Sequence, residues 1–113
     1  MHRVLAIVAG ALRTFFRERG VDSIAMLKID VEGAEYSVIE GARETIIRDR
    51  PTLIFEHTAG GADHFGVTPG KLHDLVVEEL GMRIYDITGE GPYDRARFES
   101  VFEDPLWVFV ARP

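Results

Sequence analysis

Asp30 and Glu56 are the residues of this chain best placed to do chemistry. Each directly follows a short run with the character of a buried strand: Ile24 to Ile29, interrupted by Lys28, and Thr52 to Phe55. If these strands are parallel neighbours, their ends lie about 5 Å apart. In an open α/β sheet, that end is where ligands bind. Two carboxylates so close share a proton, bind a cation, or divide into an acid and a base. Glu32 lies two residues beyond Asp30, and His57 directly follows Glu56 and titrates near neutrality. The candidate catalytic set is therefore Asp30, Glu32, Glu56 and His57. A hard cation such as magnesium needs only one or two carboxylates plus waters, so Asp30 and Glu56 are also the candidate metal ligands.

Other charged residues have simpler explanations. Glu35 falls at a helix start, where negative charge is favourable. Lys28 interrupts an apolar strand, and a buried lysine needs a partner, so a structural ion pair with a nearby glutamate is expected. His57, His64 and His73 with Asp63 match no compact zinc-ligand spacing. Gly66 to Leu72 resembles a phosphate loop but is one residue short, with Leu72 where Ser or Thr would bind magnesium. No G-x-G-x-x-G fingerprint and no G-x-S-x-G nucleophile elbow occurs in the sequence.

The elements that must position these residues follow from periodicity. Leu5, Val8, Ala9, Leu12, Phe15 and Phe16 recur at helical spacing, predicting an amphipathic helix over 1–19 that ends at Gly20. After the first strand, Tyr36, Ile39, Ala42 and Ile46 form one stripe of a helix over about 34–48, stopped by Pro51. Thr68 reads as an N-cap with Pro69 at the first helical position. Leu72, Leu75, Val76 and Leu80 are the buried stripe of that helix, and Gly81 its left-handed terminus. Strands at Met82 to Ile87 and Leu106 to Ala111 are joined by a long loop, Thr88 to Pro105, with no helix between them, which predicts an antiparallel pair. The expected fold is one α/β domain over 1–113, with its core in 24–113. About four strands include a right-handed parallel βαβ unit and an antiparallel last strand, with helices on the faces, as in the carboxy-terminal half of a doubly wound sheet. The strand at 24–29 is then an exposed sheet edge, predicting self-association through it.

The composition narrows the partners. Among 113 residues, 19 Asp and Glu against 13 Lys and Arg give a net charge of −6. Nucleic acid is therefore not an expected partner. No apolar stretch reaches the ~20 residues of a membrane span. The lack of cysteine fits a cytoplasmic protein and excludes thiolate chemistry.

Leu27-Lys28-Ile29-Asp30-Val31-Glu32-Gly33-Ala34-Glu35, then Val38 to Ala42, then Arg50-Pro51-Thr52-Leu53-Ile54-Phe55-Glu56-His57, resemble the FkbM-like methyltransferases. Gly81 to Tyr85 also resembles a strand start of that family, and the likeness spans about residues 20–113. The resemblance implies a Rossmann-like fold, S-adenosylmethionine as cofactor, and methyl transfer to a hydroxyl of a sugar, polyketide or related small molecule. It places Asp30 near the transferred methyl, with Glu56 and His57 bordering the same cleft and Thr88 to Pro105 covering the acceptor. The family's glycine-rich turn and ribose-binding acid have no counterpart here, so the resemblance implies the carboxy-terminal half alone. That leaves two readings besides an active enzyme: a non-catalytic interaction module, and, ranked last, a magnesium-dependent hydrolase built on Asp30, Glu32 and Glu56.

Overall fold

The computed structural model describes residues 2–7, 23–29, 35–56, 67–101 and 108–113. Five strands form one mixed sheet: β1 (His2–Ile7), β2 (Ser23–Ile29), β3 (Thr52–Glu56), β4 (Arg83–Asp86) and β5 (Val108–Arg112). Their order is β1-β2-β3-β5-β4. β1, β2 and β3 are parallel, whereas β5 runs antiparallel to both β3 and β4. The α/β class, the parallel βαβ unit and the antiparallel last strand are as the sequence predicts.

Four expectations are corrected. Residues 2–7 form a strand rather than the start of a helix, and residues 8–19 lie outside the described residues. The apolar run Val4 to Ile7 suits either element, and pairing with β2 decides it. The sheet thus has five strands, not about four. β2 is consequently not an edge: it bonds β1 on one side and β3 on the other, which removes the basis for self-association through 24–29. Finally, the span after β4 is not all loop, because it contains a helix, Arg95–Val101.

The helices are α1 (Glu35–Gly41), α2 (Arg43–Asp49), α3 (Pro69–His73) and α4 (Arg95–Val101). α1 and α2 are the single helix read from the stripe, bent at Ala42, whose N–H is shared between the carbonyls of Val38 and Ile39. α3 begins as expected, with Thr68 Oγ1 accepting from Lys71 N and Pro69 at its first turn. It continues as a π-helical segment, Asp74–Glu79, and Gly81 terminates it at φ +66°. In that segment Leu80 N donates to Leu75 O, an i→i+5 bond.

The helices seal one face of the sheet. Strand alternation points Leu27, Ile29, Leu53, Phe55, Phe109 and Ala111 toward them, and these join Ile39, Ile46, Leu72, Leu75 and Phe98 in one core. Phe98 meets Phe109 edge-on at 5.0 Å. Two tethers fix the helix ends. Asp49 Oδ2 accepts from Ile24 N at 3.0 Å, tying α2 to the start of β2. Arg50, left-handed at φ 51°, donates to Leu80 O at 2.6 Å and Gly81 O at 3.0 Å, closing the carbonyl end of the neighbouring helix.

Arg50 therefore has a structural role that two substitutions separate. Arg50→Ala is expected to cost about 1–2 kcal/mol through the lost carbonyl contacts. Arg50→Gly should cost less, because glycine relieves about 1 kcal/mol of left-handed strain. Urea midpoints of the two variants check the ranking.

Candidate functional site

The site is built where β2 and β3 end. Their parallel register pairs Lys28 with Ile54 and Ile29 with Phe55. Glu56 is the next residue of β3, and Asp30 follows Ile29 in the sequence. Glu56 is exposed at the end of β3, opposite Val108 of β5. Asp30, Glu32 and His57 lie outside the described residues, as do Asp63 and His64.

Lys28, Ile29, Ile54, Phe55, Glu56 and Val108 line a cleft of about 30 Å³ at these strand ends. That volume takes a water or a single hydroxyl. Its chemistry is one carboxylate and one ammonium over an apolar floor, which suits the hydroxyl of an acceptor. It is no cradle for a cofactor the size of S-adenosylmethionine, and none of its residues is assigned to one.

Lys28 differs from expectation. It is exposed, and no hydrogen bond or ion pair joins it to another described residue. No described helix packs on the strand face where it stands, so it needs no buried partner. Glu35, by contrast, stands in the first turn of α1, as expected for a charge at a helix start, and it is buried there.

Beside this end of the sheet, Tyr36, Ser37, Glu40 and Gly41 line a shallow groove of about 440 Å³. The Lys71 ammonium lies 5.0 Å from the Tyr36 ring centroid, joining the first turns of α1 and α3. Desolvation first, then the hydrogen bond to Glu40, pushes the Tyr36 phenol above its ordinary value. It stays protonated and polar at neutral pH.

His73 belongs to the core. Its Nε2 lies 2.8 Å from the Tyr93 carbonyl and so donates to it, and its ring packs on Phe98 at 5.8 Å. Among the described residues no group of three His, Cys, Asp or Glu side chains comes together. No helix among them is long and apolar enough to cross a membrane.

One polar centre carries no strong signal in the sequence. Asp86 is only 3% exposed. Its Oδ1 accepts from Thr88 N, Thr88 Oγ1 and Glu90 N, and its Oδ2 from the Tyr93 hydroxyl. The spacing Asp86-Ile87-Thr88-Gly89 is a turn signature in which Asp bonds the backbone two residues on. This carboxylate is satisfied by its own turn and holds that turn closed.

The geometry meets an independent finding here. The family profile described as Methyltransferase FkbM domain matches residues 7–84. The chain belongs to the FkbM methyltransferase family. The match runs from the last residue of β1, through both strand ends and the helices α1 to α3, to Ile84 in β4. It starts upstream of Gly20 and stops before α4 and β5, so the shared region differs from the 20–113 expected. No curated protein and no solved structure matches the chain. Within the FkbM domain, the described parts of the three segments that carried the resemblance fall on the end of β2 and the start of α1 (Leu27 to Ile29 and Glu35), on α1 with its bend (Val38 to Ala42), and on Arg50 with β3 (to Glu56). One of their functions is thus architectural, since Arg50 caps the neighbouring helix.

Proposed function

We propose that this FkbM domain transfers a methyl group from S-adenosylmethionine to a hydroxyl oxygen of a small molecule such as a sugar or a secondary metabolite. The observation that carries the reading is the register: β2 and β3 are parallel and level at Ile29 and Phe55, and a carboxylate residue follows each. Methyl transfer to oxygen depends chiefly on positioning. A carboxylate within hydrogen-bond reach orients the acceptor hydroxyl and takes its proton as the oxygen becomes nucleophilic. In this reading Asp30 and Glu56 perform that task, and Glu32 and His57 contribute to the same polar wall. The exposure of Glu56 supports it, because its carboxylate is accessible to a substrate.

Calorimetric titration with S-adenosylmethionine and S-adenosylhomocysteine is the first test: saturable binding of both would support the reading, with the cofactor held outside the 30 Å³ cleft. With a hydroxyl acceptor identified, Asp30→Ala should reduce transfer about a hundredfold and leave the circular dichroism spectrum unchanged. Full activity in that variant would refute the assignment. EDTA treatment, expected to leave the rate unchanged, tests the alternative in which Asp30 and Glu56 hold magnesium. A second reading, a non-catalytic interaction module, draws support from the sheet face opposite the helices, which no described element covers. Absence of cofactor binding would favour it.

A further inference from the structure

We propose that the sheet face turned away from the helices docks an acidic amphipathic helix of another polypeptide. The proposal does not rest on the methyltransferase reading, although Lys28, Ile54, Glu56 and Val108 belong both to this face and to the cleft at the strand ends. Sheets with parallel strands are ordinarily covered on both faces. Here the described helices contribute to a single core, and the side chains of the opposite face take no part in it. Along one row of that face the register aligns Ile54, Val110 and Tyr85, all half-buried. The next row holds Val108 and Ile87, whose N–H donates to Val108 O and whose side chain is 54% exposed. These five side chains make a continuous apolar surface across three strands, the kind that marks an interaction site.

Charge identifies the occupant. Lys28, Arg83 and Arg112 are exposed on this face, and the Arg112 guanidinium lies 4.3 Å from the Tyr85 ring centroid. Glu56, at the end of β3, is the one carboxylate that the described residues add there. A chain of net charge −6 thus presents a cationic, apolar face. A second copy laid face to face would oppose cation to cation, which disfavours self-pairing. A helix with an apolar stripe flanked by Glu or Asp satisfies both features. A five-residue strand spans about 17 Å, the length of about 11 helical residues.

The test uses the whole chain and two synthetic 15-residue amphipathic helices with identical leucine stripes, one flanked by glutamate and one by lysine, read by fluorescence anisotropy. The glutamate peptide is expected to bind, with affinity that falls as salt rises. The lysine peptide should bind at least about tenfold more weakly. Val110→Glu should lose at least about tenfold in affinity for the glutamate peptide. Arg83→Glu, at an exposed position that leaves packing intact, should lose severalfold. No binding of the glutamate peptide, equal binding of both, or unchanged affinity in Arg83→Glu would overturn the proposal. So would a dimer in sedimentation that Val110→Glu dissociates, since the occupant would then be a second copy.

Discussion

Gly91→Ala should destabilise the protein by about 4 kcal/mol, a large part of the total for a domain of this size. Gly91 has φ +141°, a conformation that side-chain-bearing residues rarely adopt. A Cβ there would lie 2.8 Å from Ile84 O, 2.9 Å from Tyr85 Cδ1 and 3.1 Å from Tyr85 Cα. Two of these atoms are β4 backbone, so the chain after Gly91 must move. That movement breaks the bond from Tyr93 N to the same Ile84 carbonyl, 2.8 Å long, and withdraws Tyr93 from Phe109, 5.9 Å away. A control lies in the same turn. Gly89 has φ +95°, and a methyl added there would meet nothing within 4 Å, so Gly89→Ala should cost only about 1 kcal/mol of backbone strain. Urea unfolding of both variants separates the steric cost from the conformational one. Equal midpoints would show that the Gly91 contact yields easily.

Asp86→Ala is expected to cost about 3 kcal/mol, because it strands the buried Tyr93 hydroxyl and opens the turn. The surrounding residues 87–90 are exposed, so water can recover part of the loss at the two backbone N–H groups. The pH dependence carries a sign. The Thr88 hydroxyl is the main cause of a lowered Asp86 pKa; burial opposes it, and Tyr93 and the two turn N–H groups add to it. A carboxyl whose folded value lies below its unfolded one contributes stability that is complete above the unfolded value, about 4. That contribution disappears as pH falls through the folded value. Tyr93 has the opposite sign. Burial first, then its bond to Asp86, raises its pKa. Its contribution is complete below the unfolded tyrosine value, about 10, and is lost as pH rises through the folded one. Urea midpoints against pH should show a less steep acid limb in Asp86→Asn and a less steep alkaline limb in Tyr93→Phe. An unchanged acid limb in Asp86→Asn would show that this carboxylate does not govern acid stability.

The two carboxylates of the candidate site illustrate what is readable from a linear chain. Asp30 and Glu56 stand out because each ends an apolar run, a local pattern. That the runs pair in parallel and end level is a register of long-range contacts, decided by which strands meet. Lys28 shows the same division in reverse. Its place in an apolar strand suggests burial and an ion pair, yet it stands exposed on the face away from the helices.

Local signals determined much of the fold. Thr68 with Pro69, Gly81, the stripe Leu72, Leu75, Val76 and Leu80, and the strands β2 and β3 all follow from propensity, capping and periodicity within a few residues. α4 escaped because Phe98 is its one fully buried side chain, too few for a stripe; its docking on Phe109 stabilises it. β1 escaped because Val4 to Ile7 suits either a helix or a strand, and only pairing along β2 resolves it. The sequence by itself determined the family, the carboxylate that ends β3 and the elements whose code is local. Only the tertiary structure decided that β2 lies inside the sheet, that Asp86 closes its own turn, and which sheet face the described helices leave open. Those depend on hydrogen bonds and packing between distant residues, and short-range periodicity carries no record of them.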